Sequence, residues 1–305
     1  TPVILKPSEK TPLTAILLTE LLYEAGLPHY MLSTLLGPTK EIAEPLVKDP
    51  RVDIVSFTGS VAVGKHIASS VGYKKVILEL GGNDPLIIME DADMDTAVHL
   101  AAEGSFRNSG QRCTAVKRIL IHEKIKDAFL EKFLEKAKTY TCGDPADPET
   151  KVGTVIDEPA AIYLESVVNK AVEQGAKVLL GGKRNGALLE PTVIDNVPRN
   201  AQMIVQESFG PLAPILTFKD IDDAIALSNS TAYGLSSGIV THNMDYALRF
   251  IKELKVGTVN INEVPGYRIE SSPFGGIKDS GLGIKEGVIE AMKCFTYVKT
   301  FSLPW

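Results

Sequence analysis

Of the three cysteines in the chain, Cys113 stands where a thiol could do chemistry, in the loop Asn108-Ser-Gly-Gln-Arg-Cys113-Thr between an expected helix and an expected strand. Gly110 gives flexible approach and Arg112 supplies an adjacent cation, which lowers a thiol from its ordinary pKa near about 8.5 and favours the nucleophilic thiolate. Cys142 precedes the Gly143-Asp-Pro turn and Cys294 follows a helix, so both read as packing or surface thiols. Glu79, in Val76-Ile-Leu-Glu-Leu-Gly-Gly82, falls at the carboxyl end of an apolar strand beside two glycines. Open α/β sheets place their sites there, and desolvation would raise the carboxylate toward a useful general base. The competing reading is a strand-end charge facing solvent.

Three further segments carry polar chemistry. Gly59-Ser-Val-Ala-Val-Gly64-Lys65-His66 lies where a strand gives way to a helix, and it misses the P-loop pattern only at His66. Imidazole is a poor replacement for the hydroxyl that binds magnesium, so the segment reads as a helix-terminus anion site, with a P-loop-like nucleotide hydrolase as the alternative. In Gln206-Glu207-Ser-Phe209-Gly-Pro an acid can accept from ribose hydroxyls while the ring packs on a planar heterocycle. Arg112 and Arg268 could converge on an anionic tail, since guanidinium forks suit phosphonate, phosphate or carboxylate oxygens. Against this, Arg112 could merely order its loop and Arg268 could be a solvated charge. The G-x-G-x-x-G fingerprint is absent, because Gly281-Leu-Gly283 has Glu286 where the third glycine should stand. No C-x-x-C spacing or other metal-ligand pattern is present.

The elements that must position these residues alternate. Helices are expected at 11–26, 39–48, 61–71, 94–107, 125–139, 159–174, 221–228, 244–254 and 284–292. Strands are expected at 31–36, 52–57, 75–80, 86–89, 116–122, 178–180, 214–218, 235–241, 258–262 and 294–301. This order predicts an α/β fold with parallel sheets covered on both faces. With 305 residues, two lobes are expected, because single cores stop growing near about 250–300 residues. The division expected is 1–82, 83–283 and 284–305. The 32 basic and 38 acidic side chains leave a net charge of −6, which argues against nucleic-acid binding and for a small-molecule partner. Apolar runs are too short to span a bilayer, and the unpatterned cysteines suit a reducing cytoplasm.

Taken in order, Leu5-Lys6-Pro7-Ser8-Glu9, Phe57-Thr58-Gly59-Ser60, Leu78-Glu79-Leu80-Gly81-Gly82, Gly110-Gln-Arg-Cys113-Thr, Glu207-Ser-Phe209-Gly-Pro and Pro273-Phe274-Gly-Gly276 resemble the aldehyde dehydrogenase superfamily. The resemblance runs from the first residues to the last. It implies two Rossmann-like three-layer lobes, a partial NAD-binding domain and a catalytic domain, with a C-terminal oligomerisation strand and a homodimer or homotetramer. It makes Cys113 the nucleophile and Glu79 the base that activates the hydrolytic water. It assigns Lys6, Glu9, Gly37, Gly59, Ser60, Leu80, Glu207 and Phe209 to NAD, and Arg112, Thr114 and Arg268 to substrate. A carboxylate at Glu9 would repel a 2′-phosphate, favouring NAD over NADP. Within the superfamily, the Ile261–Phe274 stretch and the Ser-Leu-Pro-Trp305 ending look most like enzymes that oxidise phosphonoacetaldehyde. Succinate semialdehyde, lactaldehyde and glyceraldehyde 3-phosphate are the alternative substrates, and a noncatalytic binding relative is the remaining alternative. The family's oxyanion-hole asparagine belongs before Thr1, so these residues alone are expected to be weak catalysts.

Overall fold

The computed structural model describes residues 1–304; Trp305, part of the ending compared above, lies outside the described residues. The chain divides into two compact units, residues 1–57 with 62–76, and residues 58–61 with 77–305. The division passes within a strand a few residues before Gly81-Gly82, and residues 284–305 group with the larger unit instead of returning to the first.

The smaller unit begins with β1 (Val3–Leu5), α1 (Leu13–Glu24), β2 (Leu32–Thr34) and α2 (Thr39–Lys48). The strands β3 (Ile54–Thr58) and β4 (Lys75–Glu79) flank α3 (Val61–Ser70), and the division cuts through them. β1 pairs with β2 in parallel, and β3 pairs with β4, so this region holds two-stranded sheets, the part of a cofactor domain that was expected. Pro12 leads into α1, and Gly26, at φ +96°, ends it in the left-handed conformation that favours glycine. In α1, Leu13, Leu17, Leu18 and Leu21 are all more than half exposed and only Thr19 is buried.

The larger unit continues with β5 (Pro85–Ile88), α4 (Met94–Phe106), β6 (Arg118–His122), α5 (Lys126–Lys138), α6 (Glu158–Glu173) and β7 (Lys177–Leu180). After the small hairpin β8 (Arg184–Asn185) and β9 (Leu188–Leu189) come β10 (Thr192–Asp195), α7 (Gln202–Val205), β11 (Leu212–Phe218) and α8 (Ile221–Asn229). The chain then runs through β12 (Tyr233–Gly234), β13 (Ser236–Val240), α9 (Met244–Glu253), β14 (Thr258–Ile261), β15 (Ile277–Lys278) and α10 (Val288–Cys294).

Seven strands form one sheet in the order β14-β13-β5-β6-β11-β10-β7, parallel except for the antiparallel edge strand β7. Successive side chains point to opposite faces of a strand. Leu86 and Ile88 of β5, with Ile119 and Ile121 of β6, therefore enter one core with α4 and α5, whose Phe106, Phe129 and Phe133 fill it. Ile87 and Leu120 enter the other core, with α6, α8 and α9. A sheet buried on both faces needs such continuous apolar strands.

Of the terminal strand expected at 294–301, Cys294 closes α10 and the rest joins no sheet of this one chain. Residues 296–304 pair with nothing in a ladder, because no sheet edge of the described chain receives them, and Val298 and Phe301 stand exposed. None of the helices among the described residues is long and apolar enough to cross a membrane.

Candidate active site

Cys113 sits between α4 and β6 on a loop with an unusual backbone. Asn108, Ser109 and Gly110 take φ of 56°, 54° and 67°, three successive left-handed residues that turn the chain out of α4. A Cβ on Gly110 would lie 2.0 Å from the Gly210 carbonyl oxygen, so the cysteine loop packs directly on the Gly210-Pro211 turn. Gly81 and Gly82 fill a second tight junction. A Cβ on Gly81 would meet Glu207 Oε2 at 2.2 Å, and one on Gly82 would meet the Cys113 carbonyl at 2.4 Å. The glycines after the β4 strand thus let Glu79, Cys113 and Glu207 gather at one place.

Glu79 is the last residue of β4, buried to 3 % exposure, so the solvent-facing alternative does not hold. Burial pushes its pKa up, opposed by Lys285, whose ammonium lies 3.2 Å from Oε2. The half-buried Cys113 thiol is also pushed up, first by burial and then by the negative charge of Glu79, with Lys117 opposing. This corrects the expectation that Arg112 lowers the thiol. The Arg112 guanidinium turns away, and its Nη2 donates to the carbonyls of Glu103 (3.4 Å) and Gly104 (3.2 Å). Its Nε is buried without a hydrogen-bond partner. In place of Arg112, Lys117 supplies the local cation. Lys117 is 2 % exposed and donates to the carbonyls of Arg112 and Cys113.

Lys117 also pairs with Glu207 at 3.3 Å and lies 5.6 Å from the centre of the Phe209 ring. Glu207 accepts in addition from the Gly82 N–H at 3.1 Å, while Phe209 leaves nearly half its surface open. A fixed acceptor beside an open aromatic face suits a ribose and a planar base. Gly59 is pinned by its N–H to the Glu79 carbonyl, placing Ser60 just before α3, and Leu80 is buried with its N–H on the Ser280 carbonyl.

In the smaller unit, Lys6 and Glu9 converge on Thr39, the first residue of α2. Lys6 Nζ donates to Thr39 Oγ1 at 2.6 Å, and Glu9 Oε1 accepts from the Thr39 N–H at 3.3 Å. That hydrogen bond holds the exposed Glu9 carboxyl below its ordinary pKa. One donor and one ionised acceptor side by side form the group set that binds a sugar diol. Gly37 stands just ahead of this helix start at φ +142°.

The substrate candidates divide. A Cβ on Gly266 would meet Thr114 Oγ1 at 2.6 Å, so the loop after β14 packs beside the nucleophile. Arg268, two residues on, is exposed; it lies 4.3 Å over the Phe274 ring and its Nη1 donates to Glu286 Oε2. The two arginines hold different partners and do not converge in this conformation.

The model of the aldehyde dehydrogenase family matches residues 1–301. The chain belongs to this family. It is 39% identical over 298 residues to a sulfoacetaldehyde dehydrogenase of Neptuniibacter caesariensis, covering 98% of this chain and 65% of the relative. It is 42% identical over 285 residues to a 3-sulfolactaldehyde dehydrogenase of Priestia megaterium, covering 93% and 60%. Among solved structures, an NAD-dependent aldehyde dehydrogenase from Sinorhizobium meliloti superposes with a TM-score of 0.94 at 37% identity, over all of this chain and 62% of that one. The NADP complex of glyceraldehyde-3-phosphate dehydrogenase GapN from Methanocaldococcus jannaschii gives 0.93 at 40% identity, over 97% and 65%. The chain therefore spans about 60 to 65% of the length of these curated relatives.

Sequence reasoning missed Lys117 and Lys285, the two cations that face the carboxylates. It also missed Asp84, whose Oδ1 accepts from the Ser236 N–H at 3.1 Å and whose burial pushes it up to about 8. The signal for Lys117 was available, as a lysine four residues after the nucleophile, immediately before β6. Lys285 offers none, because it reaches the site through loops that join only in space.

Proposed function

We propose that this chain carries the catalytic centre of an NAD-dependent enzyme that oxidises an aldehyde bearing an anionic group to the carboxylic acid. The observation that carries the reading is the packing at Gly81-Gly82, two residues past Glu79, where Glu207 and the Cys113 carbonyl lie so close that neither glycine admits a side chain. A nicotinamide dinucleotide, when bound, supplies the hydride acceptor. Lys6 and Glu9 would hold one ribose, Ser60 the pyrophosphate and Glu207 with Phe209 the nicotinamide side. The ionised Glu9 supports NAD over NADP through repulsion of a 2′-phosphate.

The chain's own chemistry follows from charge. Cys113 Sγ adds to the aldehyde carbon to give a thiohemiacetal. Its thiol is pushed up and so must lose the proton to a neighbour, for which the raised Glu79 is the facing carboxylate. Oxidation leaves a thioester; once the thiol's proton has passed from Glu79 to solvent, the ionised carboxylate takes a proton from the water that attacks the thioester carbon, the C–S bond breaks, and the Cys113 thiolate and the carboxylic acid separate, which splits one difficult step into two.

Phosphonoacetaldehyde is the substrate we favour, supported by the Ile261–Phe274 stretch. Relatives named for sulfonated aldehydes fit the same chemistry of a tetrahedral oxyanion tail. Arg268, exposed two residues after the Gly266 that packs on Thr114, is the cation such a tail would meet on exchange for Glu286, whereas Arg112 is spent on main-chain carbonyls. The three unpaired cysteines fit a reducing cytoplasm, and the exposed apolar tail around Val298 and Phe301 fits pairing with a second copy.

The test is a substrate panel on the full-length protein with NAD. Phosphonoacetaldehyde is expected to give the highest kcat/KM, ahead of lactaldehyde, and Arg268→Ala to raise KM about tenfold or more for the anionic aldehyde alone, the loss of a charge-assisted contact. Equal effects on both substrates would remove Arg268 from the anion site.

A further inference from the structure

A buried line of alternating charge leads from Glu79 to the protein surface. Glu79 is 3 % exposed, and neither of its carboxylate oxygens has a hydrogen-bond partner of good geometry. An ionised carboxylate in that state is held only by nearby opposite charge. Lys285 supplies it, at 3.2 Å from Oε2, with a side chain itself 10% exposed. The same ammonium lies 2.9 Å from Glu286 Oε1, and the other oxygen of Glu286 accepts from Arg268 Nη1. Two carboxylates and two cations thus alternate in the order Glu79, Lys285, Glu286, Arg268.

The backbone fixes this line. Gly281 bridges Glu79 in antiparallel fashion, Leu80 donates to the Ser280 carbonyl, and Phe274 bridges Glu286. A Cβ on Gly275 would lie 2.1 Å from the Gly283 carbonyl, and Gly287, at φ +88°, would bring one within 2.7 Å of the Ser272 carbonyl. The double loop carrying Lys285 is closed so tightly that its position against the strand end is set by main-chain packing.

We propose that Lys285 is a positioning residue for Glu79, its ammonium shared between Glu79 and Glu286 so that it holds the base carboxylate in place and sets the pH at which Glu79 takes a proton. This rests on the reading of Glu79 as general base. The groups facing Glu79 are Lys285, Glu286 and Arg268 from this double loop and its neighbour, and Cys113 from the nucleophile loop. Lys285 and Arg268 favour the ionised form, whereas burial and Glu286 oppose it. Removing Lys285 and removing Glu286 must therefore move Glu79 in opposite directions, which loosened packing would not do.

The experiment is an infrared titration of the full-length protein labelled with carboxyl-13C glutamate, using Glu79→Gln as the blank, with no cofactor or aldehyde present. Lys285→Met is expected to raise the Glu79 midpoint by about one pH unit or more, a tenfold change in proton affinity. Glu286→Gln is expected to lower it, and Lys285→Arg to leave it near the parent value. In enzyme assays, the acid limb of thioester hydrolysis moves with the same sign while the first-turnover burst persists. An unmoved midpoint in Lys285→Met, or shifts of the same sign in both variants, overturns the proposal. Should Lys285→Met fail to fold, the downward shift in Glu286→Gln decides it. A titration that behaves as expected in a protein without a burst would sink the dehydrogenase reading and leave the positioning role standing.

Discussion

At Cys113 the local field works against the thiolate. Burial and the carboxylates of Glu79, Asp84 and Glu207 all raise the thiol, and only Lys117 resists. A nucleophile so placed stays protonated at neutral pH until a base removes the proton, which gives Glu79 work at both ends of the reaction. Asp84 shows the same desolvation in a structural setting, with Oδ2 buried and unpartnered. Its folded-state value of about 8 lies above the ordinary 3.8, so the folded protein holds a proton that the unfolded chain has released. The stability this gives is complete below the unfolded value and is lost as pH rises through about 8. Thermal unfolding between pH 5 and 9 is expected to show a melting temperature that falls with pH in the parent and is flatter in Asp84→Asn. Parallel curves would show that Asp84 is ionised in the folded state.

The elements that hold these side chains depend on backbone shape more than on side-chain contacts. Gly110 combines a left-handed φ with an approach to the Gly210 carbonyl that leaves no space for a methyl group. Gly110→Ala is expected to destabilise the larger unit by roughly 2–4 kcal/mol, the sum of left-handed strain and overpacking, and to slow iodoacetamide labelling of Cys113. Urea unfolding with labelling checks both, and a parent-like midpoint would contradict the packing described. Most elements were legible in the sequence because apolar periodicity and caps mark them. α2 spans the expected 39–48, and the expected 94–107 helix differs from α4 at only its last residue. β10 was not legible, since Thr192–Asp195 is too short to show a period, and α7 has four residues. The 294–301 alternation was real as a pattern, but a strand needs an edge to join, and the described chain provides none. The site was legible where a motif is contiguous, as at Cys113, Glu79 and Glu207. It was illegible where distant loops meet, as at Lys285, or where a side chain turns away, as at Arg112.

For the molecule as a whole, the larger unit holds the reacting groups and a seven-stranded sheet with a core on each face, while the smaller unit holds the Lys6 and Glu9 pair. The central claim is that Cys113 forms the bond to substrate and Glu79 releases the product. Stopped-flow recording of NADH in the full-length protein with phosphonoacetaldehyde tests this directly. Glu79→Gln is expected to give a burst of about one equivalent per site, slower than in the parent because the thiol has lost its facing base, and then to stall, because the thioester forms and is not hydrolysed. Cys113→Ala is expected to give no burst. Sustained turnover in Glu79→Gln, or a burst in Cys113→Ala, would contradict the account.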